Sequence, residues 1–152
     1  MKVVVGSPVG PLGIESDGTS ITRIWFHERD PLTPSPPGGV IGAAIRELQE
    51  YFAGARTTFT VTLAPAGTPF QQSVWRALQD IPYGETRSYA EIARTIGRPT
   101  AVRAVGAANG QNPIPIIVPC HRVIGTNGAL TGFGGGIKMK EYLLGLETRK
   151  LF

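Results

Sequence analysis

The chain has 152 residues, of which 41% are hydrophobic and 17% are charged, and its formal net charge is +4. This composition supports a packed core and excludes a disordered chain. A membrane span needs about 18 consecutive apolar residues, and no stretch of this sequence reaches that length. The N-terminus lacks the apolar segment of a secretory signal, so we expect a soluble, intracellular protein.

A single cysteine, Cys120, excludes an intramolecular disulfide. The only other soft metal ligands are the two histidines of the chain, His27 and His121. Structural zinc sites need a larger set of cysteines and histidines. The sequence therefore predicts no metal site, and it contains no cofactor-binding motif.

Charge is distributed unevenly between the two halves of the chain. Residues 1–67 hold five Lys/Arg against six Asp/Glu, a net charge of −1, whereas residues 68–152 hold ten against five, a net charge of +5. This asymmetry is typical of a C-terminal half that faces a polyanion. A basic half that only aids solubility has the same composition, and charge alone does not separate the two interpretations.

The first half of the chain is rich in strand signals. Strands are predicted at residues 3–5, 12–14 and 21–26. Asp17-Gly18 is a hairpin-type turn between the second and third of them. A helix follows, whose apolar face comprises Ile41, Ile45, Leu48 and Phe52, and residues 57–63 alternate like a further strand. We predict a small structural α/β domain over residues 1–67, with an antiparallel sheet and one helix.

The second half is mainly helical in pattern. Capping boxes begin two helices, the first at Thr68 and the second at Ser88, and Pro99 precedes a third helix over residues 100–109. The second and third helices, joined by a Gly-containing turn, have the arrangement of a helix-turn-helix. An ordinary pair of antiparallel helices gives the same pattern. The α+β fold predicted here therefore has a helical C-terminal domain over residues 68–152 with a winged-helix-like helix-turn-helix.

The third predicted helix consists mostly of small residues, and Arg103 is its one long side chain. Such a helix can pack closely against a neighbouring helix, with Arg103 in solvent. It can also enter a narrow groove of DNA, where Arg103 would probe between base pairs as minor-groove proteins do with wedge residues.

A run of apolar residues and prolines, residues 112–123, brings Cys120 next to His121. We interpret the run as strand-like. A thiolate is a soft nucleophile that needs a nearby base or positive field to form near pH 7. Neighbouring residues project in different directions, so a bridging water fits better than a direct Cys120–His121 contact. A buried structural cysteine that happens to precede a histidine is the alternative.

The motif Pro119-Cys120-His121-Arg122-Val123, with Asn112-Pro113 upstream, resembles the active-site signature of the O6-alkylguanine-DNA alkyltransferases, also called methylated-DNA–protein-cysteine methyltransferases. The resemblance extends over the C-terminal half and more weakly over the N-terminal half. It covers residues 70–75, 82–85, 88–89, 103–106, 134–136 and 143–147, and more weakly residues 7–12 and 51–54.

The resemblance implies a catalytic role for five residues. Cys120 would accept the alkyl group, His121 would deprotonate it through a water, and Glu147 would orient the imidazole. Asn112 would hold the turn before the cysteine. Tyr89 would help to rotate the target nucleotide out of the duplex and donate a hydrogen bond to the purine.

It also implies a DNA-binding surface and a pocket for the flipped base. Arg103 would fill the space left in the base stack. The other DNA-binding residues would be Ser88, Tyr89, Thr100, Ala104 and Gly106, and the pocket would contain Val123, Phe133, Gly134 and Gly135. The backbone carbonyls of Cys120 and Val123 would accept from the guanine amino group, and Gly134 N–H would meet O6.

The activity implied by the resemblance is DNA repair by direct reversal. The alkyl group of O6-alkylguanine, and less so of O4-alkylthymine, would move to Cys120 once per protein molecule, without a cofactor. The partner would be double-stranded DNA, bound at its minor groove by a monomer that can assemble cooperatively, in a prokaryote-like cytoplasm at the nucleoid. No membrane partner is expected.

Alternatives from other classes are a non-enzymatic damage sensor, a helix-turn-helix regulator and a cysteine hydrolase. Sensors of the alkyltransferase-like kind lack the cysteine, whereas Cys120 is present. A regulator would need long polar side chains on the recognition helix. A hydrolase would need further acyl-transfer motifs.

Overall fold

The computed structural model describes residues 1–35, 37–130 and 133–148. The chain forms two compact units, Met1–Ala66 and Gly67–Phe152. Over the described ranges, none of the helices is long and apolar enough to cross a bilayer.

The N-terminal unit contains a three-stranded antiparallel sheet in the order β1-β2-β3. Its strands are β1 (Lys2–Val5), β2 (Leu12–Ser16) and β3 (Ile21–Trp25). Asp17 closes the turn between β2 and β3, since its Oδ1 accepts the backbone N–H groups of Thr19 and Ser20, both at 2.9 Å. The three strands and the hairpin turn predicted from the sequence are present.

One helix, α1 (Gly39–Phe52), completes this unit. It ends at Phe52, and Gly54, two residues later, adopts a left-handed φ of 77°, which is common just after a helix. The buried face of α1 comprises Ile41, Ala44, Ile45, Glu47, Leu48 and Tyr51.

The strand predicted over residues 57–63 is wrong. The segment makes only an isolated bridge between Leu63 and Ile21. The Thr60 backbone N–H donates to the buried carboxylate of Glu47 at 2.9 Å instead of to a strand carbonyl. Alternation of apolar residues predicted which side chains face inward, but it does not supply a continuous ladder partner.

The C-terminal unit contains four α-helices over the described residues, together with a 3₁₀ turn at Cys120–Arg122. The helices are α2 (Pro69–Gln79), α3 (Tyr89–Thr95), α4 (Val102–Gly110) and α5 (Ile137–Thr148), and the parallel strands β4 (Arg87–Ser88) and β5 (Val123–Ile124) pair between them. Both predicted capping boxes are formed, by Thr68 with Gln71 and by Ser88 with Glu91. The helix predicted over 100–109 is α4, which begins two residues later.

Helices α2 and α4 are joined through the interior of this unit. The indole of Trp75 is buried, and its Nε1–H donates to the carbonyl of Ala108 at 2.9 Å. This bond fixes the C-terminal half of α4, from which the chain continues to Cys120. The buried apolar residues of this unit include Val74, Leu78, Ile92, Val105, Ile114 and Leu143.

Candidate active site

The chain approaches Cys120 through tight turns, so the strand-like interpretation of residues 112–123 is wrong for most of that run. Ile116 has a left-handed φ of 73°, which is rare for a β-branched residue, and Pro115 and Val118 bridge each other across the turn. Prolines lack the backbone N–H that a strand ladder needs. Three of them interrupt the segment, at Pro113, Pro115 and Pro119.

The side chain of Asn112 forms hydrogen bonds to the backbone of the turn that follows it. Its Nδ2–H donates to the Val118 carbonyl at 2.8 Å, and its Oδ1 accepts the Ile114 N–H at 3.0 Å. Its side chain also lowers the pKa of the Cys120 thiol, against the effect of burial. One amide thus connects the end of α4, the turn and the cysteine.

Cys120 begins the 3₁₀ turn and is 5% exposed. Burial raises the pKa of its thiol to about 11, although the Asn112 hydrogen bond and the charge of Lys140 act in the opposite direction. Its carbonyl accepts from the buried Asn109 side chain at 3.4 Å. The thiol therefore needs a base before it can act as a nucleophile at neutral pH.

His121 is fully buried, and its Nε2 lies 2.6 Å from Oε2 of Glu147. Its Nδ1 has no hydrogen-bond partner among the residues that the structure describes. Burial lowers the pKa of His121 below its usual 6.5, and the charges of Arg122 and Lys140 lower it further, while Glu147 opposes them. The resting imidazole is neutral, with its proton on Nε2 and a lone pair on Nδ1.

The carboxylate of Glu147 is 1% exposed and is held by several donors. Arg122 donates from Nε to Oε1 at 2.8 Å and from Nη2 to Oε2 at 3.0 Å, and the Gly84 N–H lies 3.3 Å from Oε1. Burial favours the protonated acid, but hydrogen bonds from His121 and Arg122 outweigh it and bring the pKa of Glu147 to about 2. The group is ionised at every physiological pH.

Two buried cations lie near Cys120, and the sequence pattern assigns neither of them a role. Arg122 donates from Nη1 to the Ile81 carbonyl at 2.7 Å, and the Lys140 ammonium donates to the Val123 carbonyl at 2.6 Å. The spacing of residues 140, 143 and 147 places them on one face of a helix, and this could have indicated that Lys140 faces inward. Two of the three are charged, so the apolar pattern that predicts a helix is missing from α5.

The residues predicted to contact DNA lie on α3, α4 and the residues that precede each helix. Thr100, Arg103 and Ala104 are exposed, whereas Ser88, Tyr89 and Gly106 are half-buried. A Cβ on Gly106 would lie 3.8 Å from Cδ1 of Tyr89, so the small residue lets the Tyr89 ring lie beside α4.

The predicted pocket residues fall into two groups. Val123 is buried in β5, three residues after Cys120, and its carbonyl is the acceptor for Lys140. Phe133, Gly134 and Gly135 belong to the turn before α5, where Gly134 is exposed and the other two are half-buried. A carbonyl has two lone pairs, so the bonds to Asn109 and Lys140 each leave Cys120 and Val123 one acceptor position.

The arrangement around Cys120 suits nucleophilic chemistry. A buried thiol, a histidine next to it in sequence and a carboxylate that holds this histidine at 2.6 Å are the groups that a nucleophile, its base and an orienting residue require. Among the described residues, no group of three or more His, Cys, Asp or Glu side chains could hold a metal ion.

Comparison with known families gives two matches that together span nearly the whole chain. Residues 2–65 match the ribonuclease-like domain of 6-O-methylguanine DNA methyltransferase, and residues 69–149 match its DNA-binding domain. The chain belongs to the 6-O-methylguanine DNA methyltransferase family.

Individual members are similar over more than nine-tenths of their lengths. The methylated-DNA–protein-cysteine methyltransferase of Mycobacterium tuberculosis H37Rv is 54% identical, over 96% of this chain and 91% of that protein. The protein of the same name from Methanosarcina acetivorans is 51% identical, over 93% and 94% of the two chains. Nothing in these relatives favours a sensor or regulator without enzymatic activity.

The fold agrees with solved structures of the family. A crystal structure of M. tuberculosis OGT in complex with DNA superposes with a TM-score of 0.87 at 53% identity, covering 97% of this chain and 92% of the other. A structure of the M. tuberculosis O6-methylguanine methyltransferase gives the same TM-score at 52% identity, over 98% and 93%. The α+β architecture expected from the sequence is therefore confirmed.

Proposed function

We propose that this protein is a methylated-DNA–protein-cysteine methyltransferase that repairs DNA by moving the alkyl group of O6-alkylguanine to Cys120. The observation that carries the proposal is the buried Cys120 next to His121, whose Nε2 is held 2.6 Å from Glu147. Family membership and the name of the relatives support the reaction class.

Activation of the thiol begins with His121. Its Nδ1 lone pair takes the Cys120 proton through a water, and the carboxylate of Glu147 stabilises the imidazolium that results. The thiolate then attacks the alkyl carbon. A sulfur–carbon bond forms, the carbon–O6 bond breaks, and its electron pair stays on guanine, which takes a proton from water while the His121 imidazolium returns the Cys120 proton to water. Tyr89 donates a hydrogen bond to the purine and so lowers the barrier to departure.

The reaction occurs once per molecule. Its product is a thioether on Cys120, which is the only cysteine of the chain. A thioether is not cleaved by thiol–disulfide exchange, and no second thiol is available to attack it. O6-alkylguanine is the main substrate and O4-alkylthymine the lesser one.

The substrate is double-stranded DNA with the damaged base rotated out of the helix, because the O6-alkyl carbon is inaccessible in a paired duplex. Helix α4 enters the minor groove, where its small residues permit close approach and the exposed Arg103 occupies the gap in the stack. Further contacts come from Ser88, Tyr89, Thr100, Ala104 and Gly106. The rotated base lies against Cys120 and Val123, with Phe133, Gly134 and Gly135 closing the pocket.

The two halves of the chain divide these tasks. Residues 68–152 bind DNA and accept the alkyl group, and their net charge of +5 matches a polyanionic partner. Residues 1–67 have a structural role. The protein acts as a monomer that can assemble cooperatively on DNA, and repair of the chromosome places it in the cytoplasm at the nucleoid.

The mass of the intact protein tests the reaction and its acceptor together. After incubation with excess duplex containing O6-methylguanine, the protein should gain one methyl group and no more, and peptide mapping should place it on Cys120. Cys120→Ser should gain none and should still bind the same duplex. Several turnovers per chain, or methylation of the Ser variant, would contradict the proposal.

Arg103 separates base extrusion from chemistry. Arg103→Ala should react slowly with O6-methylguanine in duplex DNA, because it no longer offsets the few kcal/mol that extrusion costs. With free O6-benzylguanine it should react at nearly the wild-type rate. A mismatch next to the lesion should narrow the deficit on duplex DNA. Equal losses on both substrates would mean that Arg103 has no part in extrusion.

A further inference from the structure

The carboxylate of Glu147 is shared between two neighbours in sequence, His121 and Arg122. His121 Nε2 lies 2.6 Å from Oε2, and Arg122 Nη2 donates to the same oxygen at 3.0 Å. Arg122 also donates to the other oxygen at 2.8 Å. Arg122 therefore contacts both oxygens of the carboxylate that lies against His121.

The guanidinium is fixed in this position from the other side. Its Nη1 donates to the Ile81 carbonyl at 2.7 Å, and its Cζ lies 5.7 Å from the centre of the Tyr83 ring. Arg122 is only 6% exposed, so solvent screens its charge poorly. The planar fork can hold the carboxylate in one orientation, with Oε2 directed at His121.

Three charged groups act on the His121 ring, Arg122 from the 3₁₀ turn and Glu147 and Lys140 from α5. Glu147 and Lys140 belong to α5, and Arg122 and Cys120 belong to the 3₁₀ turn. Tyr83, in the segment after α2, is electrostatically coupled to Glu147 and Arg122. Glu147 favours a protonated imidazole, whereas Arg122 and Lys140 disfavour it. Arg122 differs from Lys140 in also neutralising the carboxylate that binds the ring.

We propose that Arg122 is a positioning residue that holds the Glu147 carboxylate against His121 and limits how tightly His121 binds a proton. With the carboxylate partly neutralised, His121 keeps its Nδ1 lone pair at neutral pH and can take the Cys120 proton. Without the guanidinium, the full charge of Glu147 would act on the imidazole. The link to alkyl transfer rests on the function proposed above, whereas the effect on His121 does not.

The test compares Arg122→Gln, which removes the charge, with Arg122→Lys, which keeps it. Imidazole nitrogen NMR follows His121 directly, because the chain has only two histidines and the other, His27, is exposed. The titration of His121 should move to higher pH in the Gln variant and stay near wild type in the Lys variant.

Alkyl transfer from free O6-benzylguanine provides the second measurement. The rate of transfer falls as pH falls, and in Arg122→Gln this fall should begin at higher pH, by the same amount as the His121 titration moves. In Arg122→Lys it should begin at the wild-type pH. Each unit of that movement lowers the rate about tenfold on the acid limb. If no protein transfers the alkyl group, the proposed function fails, but the NMR titrations still decide the role of Arg122.

Three outcomes would overturn the inference. The first is a folded Arg122→Gln protein in which His121 titrates as in wild type. The second is an equal upward shift in the Gln and Lys variants, which would mean that geometry acts without charge. The third is measured on the wild-type protein, so it applies even if the Gln variant does not fold. It is the finding that His121 is an imidazolium at pH 7, or that the neutral ring carries its proton on Nδ1.

Discussion

Each compact unit of the protein buries one glutamate almost completely, Glu47 in the N-terminal unit at 2% exposure and Glu147 in the C-terminal unit at 1%. Glu47 accepts the backbone N–H of Thr60 at 2.9 Å and the hydroxyl of the same residue. Arg56 lies 3.8 Å from it and is itself a quarter exposed. Glu147 instead contacts the fully buried His121 and the nearly buried Arg122.

The difference lies in what the partners can do. Thr60 does not titrate, so Glu47 has one state at neutral pH and holds a segment of backbone in place of a strand ladder. His121 can gain and lose a proton, so Glu147 determines how stable the imidazolium form of His121 is relative to the neutral form. A buried carboxylate is therefore structural or functional according to whether its partner changes protonation.

The largest expected effect comes from removing the charge of Glu147. Glu147→Gln keeps the shape but no longer stabilises the imidazolium, so Cys120 is harder to ionise. Alkyl transfer from free O6-benzylguanine to Cys120 at pH 7 should slow on the order of 10²-fold, within the range of general-base contributions. Second-order rates measured from pH 6 to pH 9 should show partial rescue at high pH, where more thiolate forms.

Glu47→Gln is the matched control. The same chemical change in the N-terminal unit should leave the alkyl-transfer rate within about twofold, since Thr60 gives Glu47 no catalytic partner. Equal transfer rates of the Glu147→Gln and wild-type proteins at every pH would show that Glu147 has no part in the activation of Cys120.

The second effect is on the free energy of unfolding, to which His121 and the two glutamates contribute over different ranges of pH. Burial lowers the pKa of His121 in the folded state below its usual 6.5, so the unfolded chain binds the proton first as pH falls. The stability that His121 contributes is present above pH 6.5 and is lost below it, by up to about 1.4 kcal/mol per pH unit. Glu47 and Glu147 have pKa values below their usual 4.5, so their contributions are lost only at lower pH.

Urea unfolding between pH 8 and pH 5 measures this slope. The chain has two tryptophans, one in each unit, so a Trp25→Phe background leaves Trp75 as the reporter of the C-terminal unit. His121→Asn should flatten the slope between pH 6.5 and 5. A slope that survives in His121→Asn would show that another group titrates.

The smallest effect concerns the bond that makes Glu47 structural. Thr60→Val removes the hydroxyl that donates to Glu47 but keeps the backbone N–H bond and the side-chain shape. The free energy of unfolding, followed by circular dichroism in urea, should fall by about 1 kcal/mol, and alkyl transfer should be unchanged. A loss of transfer without a loss of stability would place Glu47 in the mechanism.

Local signals predicted most of the secondary structure correctly. Capping boxes at Thr68 and Ser88 fix the starts of α2 and α3, because both partners lie within one helical turn. Predictions failed where the deciding partner is distant in sequence. Residues 57–63 alternate like a strand, but the Thr60 N–H bonds Glu47, thirteen residues earlier.

The candidate site shows the same division. Cys120 and His121 are adjacent and could be singled out from the sequence, and the resemblance to a known family added Asn112 and Glu147. Arg122 stands inside the same motif, yet nothing in the sequence indicates that it contacts Glu147, twenty-five residues away.

The sequence by itself determined the reactive thiol, the family and the starts of helices α2 and α3, because these depend on residue identity and on contacts within a turn or two. Only the tertiary structure decided the charge environment of Cys120. Burial raises the pKa of its thiol to about 11 and that of Glu147 is brought to about 2 by its neighbours. Electrostatic energies depend on the distance between charges and on their distance from water. Both are set by how α5 packs on the 3₁₀ turn at Cys120–Arg122, which no local pattern encodes.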